Sequence, residues 1–261
     1  MTLASITVYP MKALDPVSLD HACITPGGIL EHDRIWAMLG PDGRYINGKN
    51  VSRVHRLRTR YLLPSKYVTV GYGPEPEEYT FSLEKDRSAL ASWLERKLEM
   101  PVEIRDDRDH GFPDDTRASG PTLISCATLE TVASWFRGLS VDDVKRRFRP
   151  NLVVTGVPAF WEDHLYGASD SVKFRIGDVA IHGMNPCARC VVPTRDPVTG
   201  DADRDFMTTF IERRRETLPS WAERSKFDHF YRLCVNTRIN PSEAGKVLRV
   251  GDPVEFPVAD G

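Results

Sequence analysis

The chain has no apolar run near the roughly 20 residues that a membrane-spanning helix needs. Its first stretch, Met1-Thr2-Leu3-Ala4-Ser5-Ile6-Thr7-Val8-Tyr9-Pro10, has neither the basic start nor the long apolar segment of a secretory signal. Charge excess is missing too. In 261 residues, 35 Lys and Arg stand against 37 Asp and Glu, so overall charge makes no case for nucleic acid or a membrane surface. There are five cysteines, an odd number, and only Cys187 and Cys190 are close together. A disulfide frame is not expected, and the reading is a cytoplasmic protein in a reducing compartment. Also absent are the Gly-x-x-x-x-Gly-Lys phosphate loop, the Gly-x-Gly-x-x-Gly fingerprint, the His-Glu-x-x-His pair and the Gly-x-Ser-x-Gly elbow. These absences count against common nucleotide-binding, zinc-protease and hydrolase classes. The neighbours Asp163 and His164 have no such serine to serve.

What the chain does have is 41% hydrophobic residues, enough for one large or two modest domains. Residues 1–84 read as β structure. Ile6 and Val8 alternate with polar residues up to the Tyr9-Pro10 break, and Pro26-Gly27-Gly28 marks a turn. A strand is predicted over 34–39, turned by Gly40-Pro41-Asp42-Gly43-Arg44, and 59–70 is β-rich again. The period changes at Asp86. Leu90, Trp93, Leu94 and Leu98 recur at helical spacing and Pro101 follows. Val102-Glu103-Ile104 resumes a strand, and the polar, turn-rich 105–121 reads as a domain boundary or site loop. Further helices are predicted near 127–137, over Val141–Phe148 and near Phe206–Glu216. Strands are predicted over 151–154, at Val172, Phe174 and Ile176, at Val179 and Ile181, and near 230–235. Arg175-Ile176-Gly177-Asp178 resembles Arg249-Val250-Gly251-Asp252. Two like hairpin corners predict a closed antiparallel barrel.

Chemistry concentrates between Met184 and Gly200. Cys187-Ala188-Arg189-Cys190 admits four readings. Half of a zinc site needs further ligands, and His182 supplies at most a third. A thioredoxin-like pair opens a helix, whereas Val191-Val192-Pro193 reads as extended chain. The remaining two are a pair of inert buried thiols, and a thiolate that ligates a soft metal or carries sulfur. Arg189 raises the local positive potential and favours a thiolate. In extended chain, Arg189 and Cys190 point to opposite faces. Arg149 and Asn151 flank Pro150 at the mouth of a strand, where i and i+2 share a face and offer a guanidinium fork beside an amide. Lys12 follows a proline-ended strand and Arg34 starts another. With Arg149 and Arg189 these are four cations at strand ends, able to converge on an anion. The basic, partly alternating run Arg53-Val54-His55-Arg56-Leu57-Arg58-Thr59-Arg60 reads first as a solvated strand face, with docking of an acidic partner or help in holding an anion as the alternatives.

Taken together these pieces resemble the MOSC-domain molybdenum cofactor proteins, of the mitochondrial amidoxime-reducing component type and its bacterial relatives. Val8-Tyr9-Pro10-Met11-Lys12 and Asp33-Arg34-Ile35-Trp36 are similar to that family's N-terminal β-barrel. Its MOSC domain is matched by Phe148-Arg149-Pro150-Asn151-Leu152-Val153-Val154, Phe160-Trp161-Glu162, Phe174-Arg175-Ile176-Gly177-Asp178 and the stretch from Cys187 to Asp196-Pro197-Val198-Thr199-Gly200. The resemblance implies a mainly β fold with α-helices (α+β): an N-terminal β-barrel domain over 1–105 and a MOSC β-barrel domain with flanking helices over 106–261. It implies that Cys190 ligates molybdenum, that Arg149, Asn151 and Arg189 contact the pterin of the cofactor, and that Lys12 and Arg34 hold its phosphate. A thiolate suits a soft-ligand metal site, and several cations suit a phosphorylated pterin. Two departures stand out. Ala13 replaces a frequent serine, and Gly48-Lys49-Asn50 replaces an Arg-Gln pair on the substrate side.

The function so implied is reduction of N-hydroxylated compounds by a molybdenum cofactor, Mo-molybdopterin. Asp196 is a candidate proton donor. No ferredoxin segment follows in the sequence, so separate electron-transfer proteins of ferredoxin, flavin reductase or cytochrome type are expected. No nucleic-acid or membrane partner is expected. Two alternatives stay open: a sulfur carrier or sulfurtransferase working through a cysteine persulfide, and a module that binds the cofactor without turnover.

Overall fold

The computed structural model describes residues 1–169 and 171–256; the positions 257–261 that close the second predicted segment lie outside the described residues. The first half holds β1 (Thr2–Val8), β2 (Val17–Leu19), β3 (His21–Cys23), β4 (Trp36–Leu39), β5 (Leu57–Leu62), β6 (Tyr67–Tyr72), β7 (Tyr79–Ser82), helix α1 (Arg87–Leu98) and β8 (Glu103–Asp106). Then come β9 (Leu123–Ser125), α2 (Cys126–Ser134), α3 (Val141–Phe148), β10 (Leu152–Thr155), β11 (Val172–Ile176), β12 (Val179–Ala188), α4 (Phe206–Glu216), β13 (Arg232–Ile239), β14 (Val247–Arg249) and β15 (Val254–Glu255). The described residues are mainly β with four α-helices, as the sequence predicts.

Helix α1 shows how directly the pattern dictates structure. Leu90, Trp93, Leu94 and Leu98 are its buried residues, and they join Trp36, Val70 and Ile104 in one core. The helix stops at Glu99, which turns left-handed at φ 56° just before Pro101. Burying each such side chain contributes about 1.5–3 kcal/mol.

The main sheet runs β15-β11-β12-β13-β9-β10-β1-β2. A bulge between Leu3 and Ser5 resets the register of β1 on β10, so Leu3, Ile6 and Val8 all face the core beside Ile181 and Val235. β1 and β2 thus pair in the sheet of the second half. The expected all-antiparallel closed barrel is not what forms. β9 and β10 are parallel, with α2 and α3 supplying the crossover that parallel strands require. Among the described residues the ladder stays open, because the edge strands β15 and β2 offer only two and three residues. Its ends approach through one isolated bridge, Thr2 to Pro253. The two like corners sit side by side, with Gly177 N–H donating to Pro253 O at 2.9 Å. Helices α2, α3 and α4 share a third core with β9, β10 and β13, built on Val132, Val144, Phe148, Phe206 and Phe210.

Candidate functional site

Helix α3 delivers the first cation. Ser140 and Asp143 form a capping box at its start. Arg149 ends it in the left-handed conformation, φ 54°, which throws the chain out of the helix into Pro150 and β10. The Arg149 guanidinium then lies 3.9 Å over the Tyr9 ring and donates to Leu14 O at 2.7 Å. Arg34, also left-handed at φ 52°, sits 5.4 Å from the same ring and pairs with Asp33 at 2.5 Å. Burial pushes the Tyr9 phenol up to about 12 against the pull of these two arginines. Lys12 donates to Phe112 O at 2.8 Å and pairs with Asp114 at 2.9 Å; burial still holds its ammonium below the usual lysine range.

The fourth cation comes from the end of β12. A register shift between Pro186 and Ala188 leaves Cys187 unpaired, and Arg189 N–H returns to Tyr231 O at 2.9 Å. The Arg189 guanidinium donates to Cys187 Sγ at 3.1 Å and to Phe148 O at 2.5 Å. Burial opposes its charge, but the sulfurs of Cys187, Cys234 and Cys190 outweigh burial and hold its proton more tightly than usual. Lys12, Arg34, Arg149, Arg189 and Cys190 all line one cavity of about 1160 Å³. Twelve Lys and Arg residues face it against four Asp, in a chain whose overall charge is -2. Among the described residues, Arg149 and Arg189 are bonded to backbone oxygens, a ring face or sulfur, and the ion pairs use other cations.

Asn151 and Asp196 do not line this cavity. Asn151 is fully buried. Its Oδ1 accepts from Thr122 N–H at 3.1 Å and from Arg34 Nη1 at 3.4 Å, while its Nδ2 donates to Thr7 O at 3.0 Å. The expected common face with Arg149 does not form, because the left-handed turn at Arg149 breaks the extended geometry that i and i+2 require. Asp196 accepts from Val198 N–H and Thr199 N–H, each at 2.8 Å. Burial acts to raise its carboxyl, yet those N–H groups outweigh it and hold the group below the usual range. Gly200 closes that turn at φ 81°, where a Cβ would meet His55 Cβ at 3.1 Å and Ser52 O at 3.2 Å.

Two local expectations are corrected. Val191-Val192-Pro193 is not extended: Val191 is helical and Val192–Thr194 is a 3-10 turn. Pro193 fits its first positions, and the Thr194 hydroxyl donates to Val191 O at 2.7 Å, which outweighs the β preference of the valines. The basic run 53–60 is not one solvated strand either. Ser52–Arg56 is a 3-10 turn, and His55 and Arg58 face the cavity. Gly48 and Lys49 line it as well.

The sequence reading missed Asp114, Arg195 and the pair Asn185–Asn236, in which Asn236 Nδ2 donates to Asn185 Oδ1 at 3.0 Å. Neighbouring strands β12 and β13 bring that pair together, and no local motif announces it. Among the described residues no group of three or more His, Cys, Asp or Glu is placed to hold a metal ion. His182 instead faces Ser171 Oγ at 3.3 Å.

Two family models match consecutive parts of the chain, the MOSC N-terminal beta barrel domain over residues 1–110 and the MOSC domain over 118–255. A human protein named mitochondrial amidoxime reducing component 2 is 36% identical, over 97% of this chain and 82% of its own length. A zebrafish (Danio rerio) mitochondrial amidoxime-reducing component 1 is 26% identical over 97% and 83%. A rice (Oryza sativa subsp. japonica) molybdenum cofactor sulfurase is 23% identical over 72% of this chain and 27% of its own. With both domains matched in order and a relative this similar along nearly its whole length, the chain belongs to the MOSC-domain family.

Proposed function

We propose that this chain is a molybdenum cofactor-dependent oxidoreductase that reduces N-hydroxylated compounds. In the net reaction two electrons and two protons convert an N–OH group into N–H and water. One observation carries the reading: a thiol, Cys190, and four cations line a single cavity, and two of those cations are left without a carboxylate. A half-buried guanidinium with no counter-charge is costly, and an anionic, phosphorylated pterin supplies what is missing. The donor set fits the group: one soft ligand and several cations line the same cavity. The names of the amidoxime-reducing relatives point the same way.

When bound, the cofactor supplies the two-electron chemistry that breaks the N–O bond. The chain's part is to hold and orient it. Cys190 is the proposed metal ligand. Arg149 and Arg189 are proposed to meet the pterin, and Lys12 and Arg34 its phosphate, where Ala13 offers no hydroxyl. Asn151 acts one step back by holding Arg34. Asp196 is proposed to keep the Cys190 segment in shape through its turn, and water at the open mouth supplies protons. We further propose a division between residues 105 and 106, separate ferredoxin, flavin reductase or cytochrome-type electron donors, and a cytoplasmic setting suited to five free cysteines. Among the described residues no helix is long and apolar enough to cross a membrane.

The test is elemental and pterin analysis after expression in a cofactor-making host. Wild type is expected to carry stoichiometric molybdenum and pterin, Cys190→Ala to lose the metal, and Cys187→Ala to keep most of it. Wild type with neither molybdenum nor pterin sinks the proposal, and equal losses in both variants sink the assignment to Cys190. A second reading, sulfur transfer through a persulfide, draws on the sulfurase relatives and on the Arg189 guanidinium at Cys187 Sγ. Intact mass showing a reducible one-sulfur increment on either cysteine is its signature. Bound cofactor with no reduction of any N-hydroxy compound would leave a binding module.

A further inference from the structure

The segment that follows Cys190 is braced by two arginines of the cavity wall. Arg58 Nη2 donates to Val198 O at 2.6 Å and Arg195 Nη1 to Gly200 O at 3.0 Å. Both partners are neutral backbone oxygens, so neither charge is cancelled; the ion pairs of the described residues use other arginines. Both side chains line the cavity with Cys190, and Arg195 Nε is buried without a partner. His55 lines the same cavity, its Nε2 3.3 Å from Gly48 O and its own carbonyl accepting from Arg58 Nη1 at 2.8 Å. Burial, with the charges of Arg195, Arg149 and Arg58, holds this imidazole below its usual range.

N-reduction changes the charge of what it acts on. N-hydroxyamidines and hydroxylamines are weak bases and neutral near neutral pH. The amidines and amines they become are strong bases and cations. A fixed positive wall in a partly desolvated cleft repels the product more than the substrate. We infer that Arg58 and Arg195 form a charge filter in this cavity, admitting neutral or carboxylate-bearing N-hydroxy compounds and expelling their cationic reduced products. The inference rests on the N-reductase reading above.

Benzoate and benzamidinium test it, because they share one ring, carry opposite charges and need no turnover. Calorimetry on the cofactor-loaded protein is expected to show benzoate binding more tightly. Arg58→Gln and Arg195→Gln should each shrink the benzoate-to-benzamidinium affinity ratio about three- to tenfold, and Arg58→Lys should restore it. Added salt should compress the ratio in wild type, a readout that does not depend on any variant folding. In turnover, inhibition of benzamidoxime reduction by benzamidine should strengthen in both glutamine variants. Benzamidinium binding as tightly as benzoate, no benzoate binding at millimolar concentration, or a ratio unmoved by both variants overturns the filter. The expected ratios without reduction of any N-hydroxy compound would leave the charged wall standing and sink the reaction beneath it.

Discussion

Arginines withdraw from solvent in two places in the second half of this chain, fully in one and halfway in the other, and the two places treat them differently. Arg214 of α4 is 1% exposed, pairs with Asp163 at 2.5 Å and lies over the rings of Phe160 and Phe227. Asp163 is itself held by the Tyr166 hydroxyl at 2.8 Å. At the cavity, Arg149 and Arg189 have ring faces, backbone oxygens and a thiol, and no carboxylate among the described residues. A charge cancelled from within belongs to the fold. A charge left open in a cleft is available to a ligand.

The sharpest way to break this contrast is to remove one partner on each side. Asp163→Ala leaves Arg214 buried and uncompensated, and should cost about 3–5 kcal/mol of folding stability in urea titrations. Arg149→Met removes a charge that has no counter-ion. In cofactor-free protein it should change stability by less than about 1 kcal/mol, since the lost contact with the Tyr9 ring offsets the relief of an unpaired guanidinium. The same variant should retain far less pterin. If both substitutions cost several kcal/mol, the cavity arginines are structural and the distinction fails.

The neighbour of the closed pair gives a pH signature. Glu162 is 1% exposed; its Oε2 accepts from Thr128 Oγ1 at 3.1 Å and its Oε1 has no partner. Burial, then the Asp163 charge, pushes its carboxyl up to about 7. The folded value exceeds the ordinary one of 4.5, so this group's stability is fully present below that ordinary value and is lost as pH rises through about 7. The loss should be on the order of 3 kcal/mol between about pH 5 and about pH 8. Glu162→Gln should flatten that fall in denaturation curves taken across the range. An unchanged slope would mean that water reaches the carboxylate.

Much of this was legible in the sequence, and the exceptions have physical causes. The sequence reading of Leu90, Trp93, Leu94 and Leu98 as a helix rests on apolar spacing, which is local. The left-handed turns at Arg34 and Arg149 are not, because nothing in a non-glycine residue announces φ > 0. The parallel pairing of β9 and β10 depends on a helical crossover, which periodicity does not reveal. At the site, the four strand-end cations could be picked out one by one. Arg58 stands out only as part of a basic run and Arg195 not at all, since their meaning comes from backbone oxygens far away in the chain or across a turn.

The smallest test asks whether Arg149 depends on how its helix begins. Ser140 Oγ accepts from Asp143 N–H at 3.1 Å, and Asp143 accepts in return from Ser140 N–H at 2.9 Å. Ser140→Ala removes half of this box and should cost about 1 kcal/mol, read by urea titration. At the other end, Val144 and Phe148 are fully buried and Arg147 donates to Pro193 O at 2.8 Å, so the C-terminal turn stays docked when the first one frays. Pterin retention should therefore match wild type. Loss of pterin comparable to that of Arg149→Met would show that the helix start, rather than the packed end, sets where Arg149 points.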